Sequence, residues 1–287
     1  MSASSVDDEF VRHRRTVTST PLARQHELVL AHGGKRKVAP IPWEEFERER
    51  YPEAALRLAA YANTALAGGE YGAVSMFARI TASMILHGIP FDIVNASTRA
   101  ATDELRHSDY AERFATLCGG KPITLKVERK ALKSETLSLI GLDRLMLDAT
   151  AMGESIAAAL LEECGRRAED PVARVYFANL VRDEVHHARL GWYYLTWRAP
   201  MWTARERQSV ADRAGELVND VEPRFSRGRH APPEAQKAAW ALGVLDTNAQ
   251  LGAVRAVMED QIVPALDQLG LGASHAWKKR IRVPDRT

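Results

Sequence analysis

The sequence predicts an all-α protein, built as a four-helix bundle with one long crossover and additional N- and C-terminal helices. Three observations carry that prediction. Apolar residues recur at helical spacing over long segments, strand-like alternation is nearly absent, and helix breakers are confined to a few places. Between the breakers the chain is rich in Ala, Leu, Glu and Arg, residues that lose little on entering a helix.

Residues 1–42 read as an N-terminal arm, partly flexible. They are polar and mixed, with Gly-Gly-Lys-Arg-Lys at Gly33 to Lys37 followed by Pro40 and Pro42, and the basic run reads as solvated. A lead-in helix is expected near 43–67, ending at Gly68-Gly69. The four bundle helices follow at roughly 70–87, 91–117, 143–168 and 172–198. They are punctuated by Gly88-Ile89-Pro90, by Cys118-Gly119-Gly120-Lys121-Pro122 and by Asp170-Pro171. Ala73, Val74, Phe77, Ile80 and Met84 share one face of the first, and Leu147, Ala151, Ala157, Ala158 and Leu161 one face of the third. The connection from Gly119 to Leu142 is long enough to cross a bundle lengthwise. From Met201 to Leu269 further helices are expected, broken near Pro223 to Pro233, and the final Lys-Lys-Arg-Ile-Arg-Val-Pro-Asp-Arg-Thr reads as a loose tail. The domain division is therefore arm 1–42, bundle 43–200, and a C-terminal helical extension over 201–287 that packs on the bundle.

Composition excludes several classes. A formal charge of +2 over 287 residues gives no support to nucleic-acid binding. Cys118 and Cys164 stand far apart in no Cys-x-x-Cys pair, which argues against a disulfide framework or zinc site and for a cytoplasmic setting. The N-terminus lacks the apolar core of a secretion signal. The longest apolar stretch, Tyr71 to Ile93, is interrupted by Arg79, His87 and Pro90, so no membrane span is expected. Gly-x-Ser-x-Gly, Walker-type, Gly-x-Gly-x-x-Gly and His-Glu-x-x-His motifs are all missing, and with them the minimal residues of hydrolases, nucleotide binders and zincins.

One pattern occurs twice: Asp103-Glu104-Leu105-Arg106-His107 and Asp183-Glu184-Val185-His186-His187. Residues three apart on a helix are neighbours, so Glu104 with His107, and Glu184 with His187, can each reach one metal ion. The other two helices each carry a glutamate in an apolar stripe, Glu70 and Glu154. Taken alone, Glu70 reads as a capping carboxylate after Gly68-Gly69, and Glu154 as a residue on the stripe's edge. Their heights argue otherwise. Glu70 and Glu104 lie 17 residues either side of His87, and Glu154 and Glu184 lie 15 either side of Glu169. At the α-helical rise all four stand about 22 to 26 Å from their turns, in one layer of two packed hairpins. Four buried carboxylates cost several kcal/mol each without cations, on the order expected for buried ions, whereas two divalent ions neutralise the set. Oxygen and imidazole donors without thiolate suit iron or manganese.

The arrangement of Glu70, Glu104-x-x-His107, Glu154 and Glu184-x-x-His187 resembles the ferritin-like di-iron carboxylate superfamily over roughly residues 60 to 198. That superfamily includes bacterioferritins, ribonucleotide reductase small subunits, desaturases and arylamine N-oxygenases. Arg182 to His187 looks especially like the fourth helix of its larger oxygen-activating members. The resemblance implies a ferritin-like bundle with two iron ions (or manganese) on those six ligands. It also implies that Asp103 and Asp183 accept hydrogen bonds from the ring N–H groups the ligand histidines have left. His186 points about 100° away from His187 and is not expected to be a ligand. Leu180 stands where arylamine N-oxygenases carry an extra histidine, and Ala158 where some hydroxylases carry a threonine. Tyr110 and Tyr194 are candidates for a pocket beside the metals. The small residues Ala73, Ala100, Ala111, Ala151, Ala157 and Gly191 either leave room there or pack helices closely.

The expectation is a di-iron oxidase or oxygenase that activates O2 and oxidises a small organic substrate by hydroxylation, N-oxygenation or desaturation. An electron donor is required, a homodimer is allowed, and neither nucleic acid nor membrane is a partner. No catalytic group beyond the metal ligands is singled out. The C-terminal extension, with Trp202, Trp240 and Trp277, is expected to cap the bundle and shape the pocket. A ferroxidase or manganese-catalase-like protein acting on Fe2+ or peroxide is the alternative. A metal-free helical scaffold is a further one, in which the two repeated motifs are accidents.

Overall fold

The computed structural model describes residues 10–13, 39–119, 121, 124–128, 135–226 and 233–285. Most of the arm, including Gly33 to Lys37, lies outside the described residues. Four residues of it, β1 (Phe10–His13), pair antiparallel with β2 (Leu125–Glu128) in the crossover, Phe10 opposite Glu128. Apart from this short pairing, which the sequence did not announce, the described residues form an all-helical protein.

After two 3-10 turns at Trp43–Glu45 and Arg48–Arg50, α1 runs unbroken over Glu53–Leu86. The expected break at Gly68-Gly69 is absent, and the lead-in helix and first bundle helix are one rod. Each glycine costs about 1 kcal/mol relative to alanine in a helix, and packing against a neighbour along the whole length outweighs that. The partner is α2 (Phe91–Gly119), antiparallel to α1. Gly88 makes the turn between them with φ 64°, while Ile89 N–H reaches back to Met84 O at 3.0 Å and the Ile89 side chain is buried.

Beyond the crossover, α3 (Leu139–Leu145) starts on the Ser138 hydroxyl and passes into a π-helical stretch, Met146–Glu154, and then α4 (Ser155–Arg167). Asp170 caps α5 (Pro171–Arg198), its carboxylate accepting from Ala173 N–H at 3.0 Å with Pro171 in the first turn. Thr203 and Glu206 form a reciprocal capping box at the start of α6 (Ala204–Asn219). The remainder comprises α7 (Val221–Phe225), α8 (Pro233–Ala241), α9 (Thr247–Val257), a π stretch Met258–Ile262, α10 (Val263–Gln268) and α11 (Ala273–Lys279). Within this extension α6 packs on α3, α9 on α4 and α11 on α6, so Val254 and Met258 share a core with Met146 and Leu147. No helix among the described residues is long and apolar enough to cross a membrane.

The tail is not loose up to Asp285. Glu222 is fully buried and takes hydrogen bonds from Arg280 Nε at 2.6 Å, Arg255 Nη2 at 2.9 Å and Val283 N–H at 2.8 Å. A buried carboxylate needs such donors, and the tail supplies two of the three.

The bundle core divides in two. Phe77, Ile80, Met84, Ile93, Leu147 and Leu190 belong to one apolar cluster; Leu56, Ala59, Phe114, Leu161, Tyr176 and Leu180 belong to the other. Of the two predicted stripes, Ala73, Val74, Ala157 and Ala158 are only half-buried. Between the clusters lies a polar layer.

Candidate metal centre

Each helix contributes to that layer where its apolar stripe is interrupted. Glu70 stands on α1 between Ala67 and Phe77, in mid-helix, so it caps nothing. Glu104 and His107 come from α2, Glu184 and His187 from α5, and Glu154 from the last residue of the π stretch. Two overlapping groups result. Ligand atoms of Glu70, Glu104, His107 and Glu184 lie within 4.8 Å of one another, as do those of Glu104, Glu154, Glu184 and His187. Glu104 and Glu184 are common to both, and the arrangement is nearly two-fold symmetric.

Both imidazoles turn Nδ1 towards this shared pair. His107 Nδ1 is 2.8 Å from Glu184 and 3.6 Å from Glu104, and His187 Nδ1 is 3.0 Å from Glu104 and 3.1 Å from Glu184. Their Nε2 atoms point the other way, to aspartates, and the pairing is crossed. His107 on α2 faces Asp183 on α5, and His187 on α5 faces Asp103 on α2, each at 3.5 Å. Arg106 joins the two aspartates. It is 1% exposed, and its Nη2 donates to Asp103 Oδ1 at 2.5 Å and to Asp183 Oδ2 at 2.6 Å. Sequence reasoning missed this residue, although Asp103 and Arg106 have the same i, i+3 spacing as Glu104 and His107, one residue round the helix.

The charges are strongly coupled. Burial, and then the charges of Glu104 and Glu184, push the Glu70 and Glu154 carboxyls well above their usual range. Burial acts to lower both histidines, but the facing carboxylates outweigh it and hold His107 and His187 well above the ordinary value. Glu104 and Glu184, opposed by burial yet facing both imidazoles, are shifted down. Even so, both oxygens of Glu104 and Nδ1 of His107 are buried without a well-formed hydrogen bond among the described residues. Six donors converge from four helices and leave lone pairs unsatisfied; oxygen and imidazole donors of this kind fit two hard or borderline divalent cations.

A cavity of about 630 Å³ opens between α2 and α5 against this layer, with Asp103 and His187 at its inner end. Its apolar wall includes Ile93, Ala96, Ala100, Leu190, Tyr193 and Trp197. His186 also lines it and is exposed, outside the two ligand groups. Neither Tyr110 nor Tyr194 lines this cavity. Tyr110 packs edge-on to Trp43, and Tyr194 is fully buried with its hydroxyl donating to Asp143 at 2.6 Å. Both rings are buried in the apolar core. No described residue of the C-terminal extension lines the cavity either: Trp202 donates to the same Asp143, Trp240 lies under Arg167, and Trp277 joins the core. Of the small residues, Ala100 lines the cavity, whereas Gly191 is a close-packing position, since a Cβ there would lie 2.3 Å from Ala151 N. No protein-family model and no curated protein matches the chain.

Proposed function

We propose that the protein is a di-iron oxidase or oxygenase of the ferritin-like kind, which uses O2 and an external electron donor to oxidise a small organic substrate. The observation that supports it is the pair of overlapping ligand groups sharing Glu104 and Glu184. Glu70 and His107 would complete one ion's protein ligands and Glu154 and His187 the other's. The ions would supply O2 activation and oxidising equivalents. Asp103 and Asp183 fix the imidazole orientation so that Nδ1 faces inward, and, against burial, the facing histidines together with Arg106 lower the pKa of both aspartates. The cavity reaching His187 favours an organic substrate over Fe2+ or peroxide alone, because it falls within the size range of small-molecule sites.

The test is metal content per chain, in the parent protein and in Glu154→Ala and His187→Ala. About two iron ions per chain, lost in both variants, together with reductant-dependent O2 consumption, is the expected result. Two manganese ions would move peroxide chemistry to first place. No metal, with both variants as stable as the parent, would leave the metal-free scaffold.

A further inference from the structure

The groove between α2 and α5 has a charge pattern that the oxidase reading does not use. Arg99 and Arg189 both line it and both are exposed, and neither makes a hydrogen bond or ion pair among the described residues. Arg106, Arg166, Arg167, Arg198, Arg213, Arg255 and Arg280 hold carboxylates, and what sets Arg99 and Arg189 apart from other exposed arginines such as Arg144, Arg205 and Arg224 is that the two line one apolar groove together. The two acids on the groove cannot serve this pair well. Asp103 is already held by Arg106 and His187, and Asp92 lies almost two helical turns from Arg99.

The helical rise places these groups along the groove. Arg99 stands one turn from Asp103, about 6 Å, and Arg189 two residues from His187, about 3 Å along the axis. Further from the metal layer the wall becomes apolar, through Ala96 and Tyr193 to Ile93 and Trp197. Two unpaired guanidinium groups beside an apolar trough suit an amphipathic anion, with its head bound by forked N–H donors and its body laid on aromatic and aliphatic surface.

We infer that the groove binds a small organic carboxylic acid, its carboxylate held by Arg99 and Arg189 and its apolar body lying along Ala96, Leu190, Tyr193 and Trp197. The inference rests on the proposed oxidase for its meaning as a substrate site, but binding itself does not depend on that reading. The test is calorimetric titration of the full chain with 4-phenylbutyrate and with its neutral amide, alongside the metal content of each sample. The acid is expected to bind at least about tenfold more tightly than the amide. In the doubly substituted Arg99→Gln, Arg189→Gln protein that ratio should fall to near one with metal content unchanged. Equal affinities for the two probes in the parent, a preference that survives the double substitution, or no binding of either at millimolar concentration would each overturn the inference. A metal-loaded parent indifferent to probe charge would sink the groove assignment and leave the oxidase reading standing. A parent without metal that still prefers the acid would do the reverse.

Discussion

Loading the metal-free protein with two divalent ions should expel protons, because four of the six ligand groups have raised pKa values. Facing carboxylates, against the opposing effect of burial, raise the pKa values of His107 and His187, and burial together with the neighbouring Glu104 and Glu184 raises those of Glu70 and Glu154. Glu104 and Glu184 are already ionised. Metal ligands bind in their deprotonated forms, so filling both positions displaces the protons that these four groups carry. The sign follows: all four displaced groups have raised pKa values, so acid favours the metal-free form. Affinity for the two ions should then fall as the pH is lowered from 7.5 to 6. The assay is calorimetric titration with Mn2+ at one pH in two buffers of different protonation enthalpy, whose difference counts the protons, repeated between pH 6 and 7.5. Release of less than about one proton per ion, or affinity unchanged over that range, would refute the coupled-layer argument.

Two further outcomes follow from the packing. Arg106→Met removes the buried guanidinium that bridges Asp103 and Asp183 and leaves them to His187, His107 and Arg182, so chemical denaturation should show a loss of up to about 3–5 kcal/mol, the range for breaking a buried ion pair from one side. Two glycines should respond with opposite sign in thermal denaturation. Gly69 lies mid-helix with nothing within 4 Å of an added Cβ, so Gly69→Ala should stabilise by about 0.5–1 kcal/mol. Gly191→Ala drives a methyl into the backbone at Ala151 and should destabilise by about 1–3 kcal/mol or more, while displacing the segment that carries Glu154.

The polar layer was legible in the sequence because a helix has a fixed rise: equal counts from His87 and from Glu169 were enough to set four glutamates at one height. Local propensity misled at Gly68-Gly69, where tertiary pairing with α2 carries the helix through. Arg106 was passed over because a charged residue beside a ligand motif reads as solvated. Its burial is decided by two aspartates, one of them on another helix, and only the helix packing brings Asp183 within reach. The crossed pairing of aspartates with histidines is a property of that packing as well. Tyr194 and the tryptophans of the extension were assigned to a pocket because aromatic residues serve core and cavity equally well in a linear pattern. Asp143 and Glu222, the buried acids that organise those regions, have no repeated motif to mark them.

The π-helical stretch ahead of Glu154 has a consequence for how the chain length can vary. A π turn closes its hydrogen bond one residue later than an α turn and so stores a surplus residue. Deleting one residue within an α-helix would swing everything beyond it by about 100° and take a ligand off the layer. Deleting one between Met146 and Gly153 lets the surplus be spent locally, as the turn tightens to α. The phase of α4, and the count from Glu154 to the turn at Glu169, are untouched. Length changes in this rod are therefore absorbed on the crossover side of Glu154, and a shortened variant can keep its carboxylate at the height of the other three.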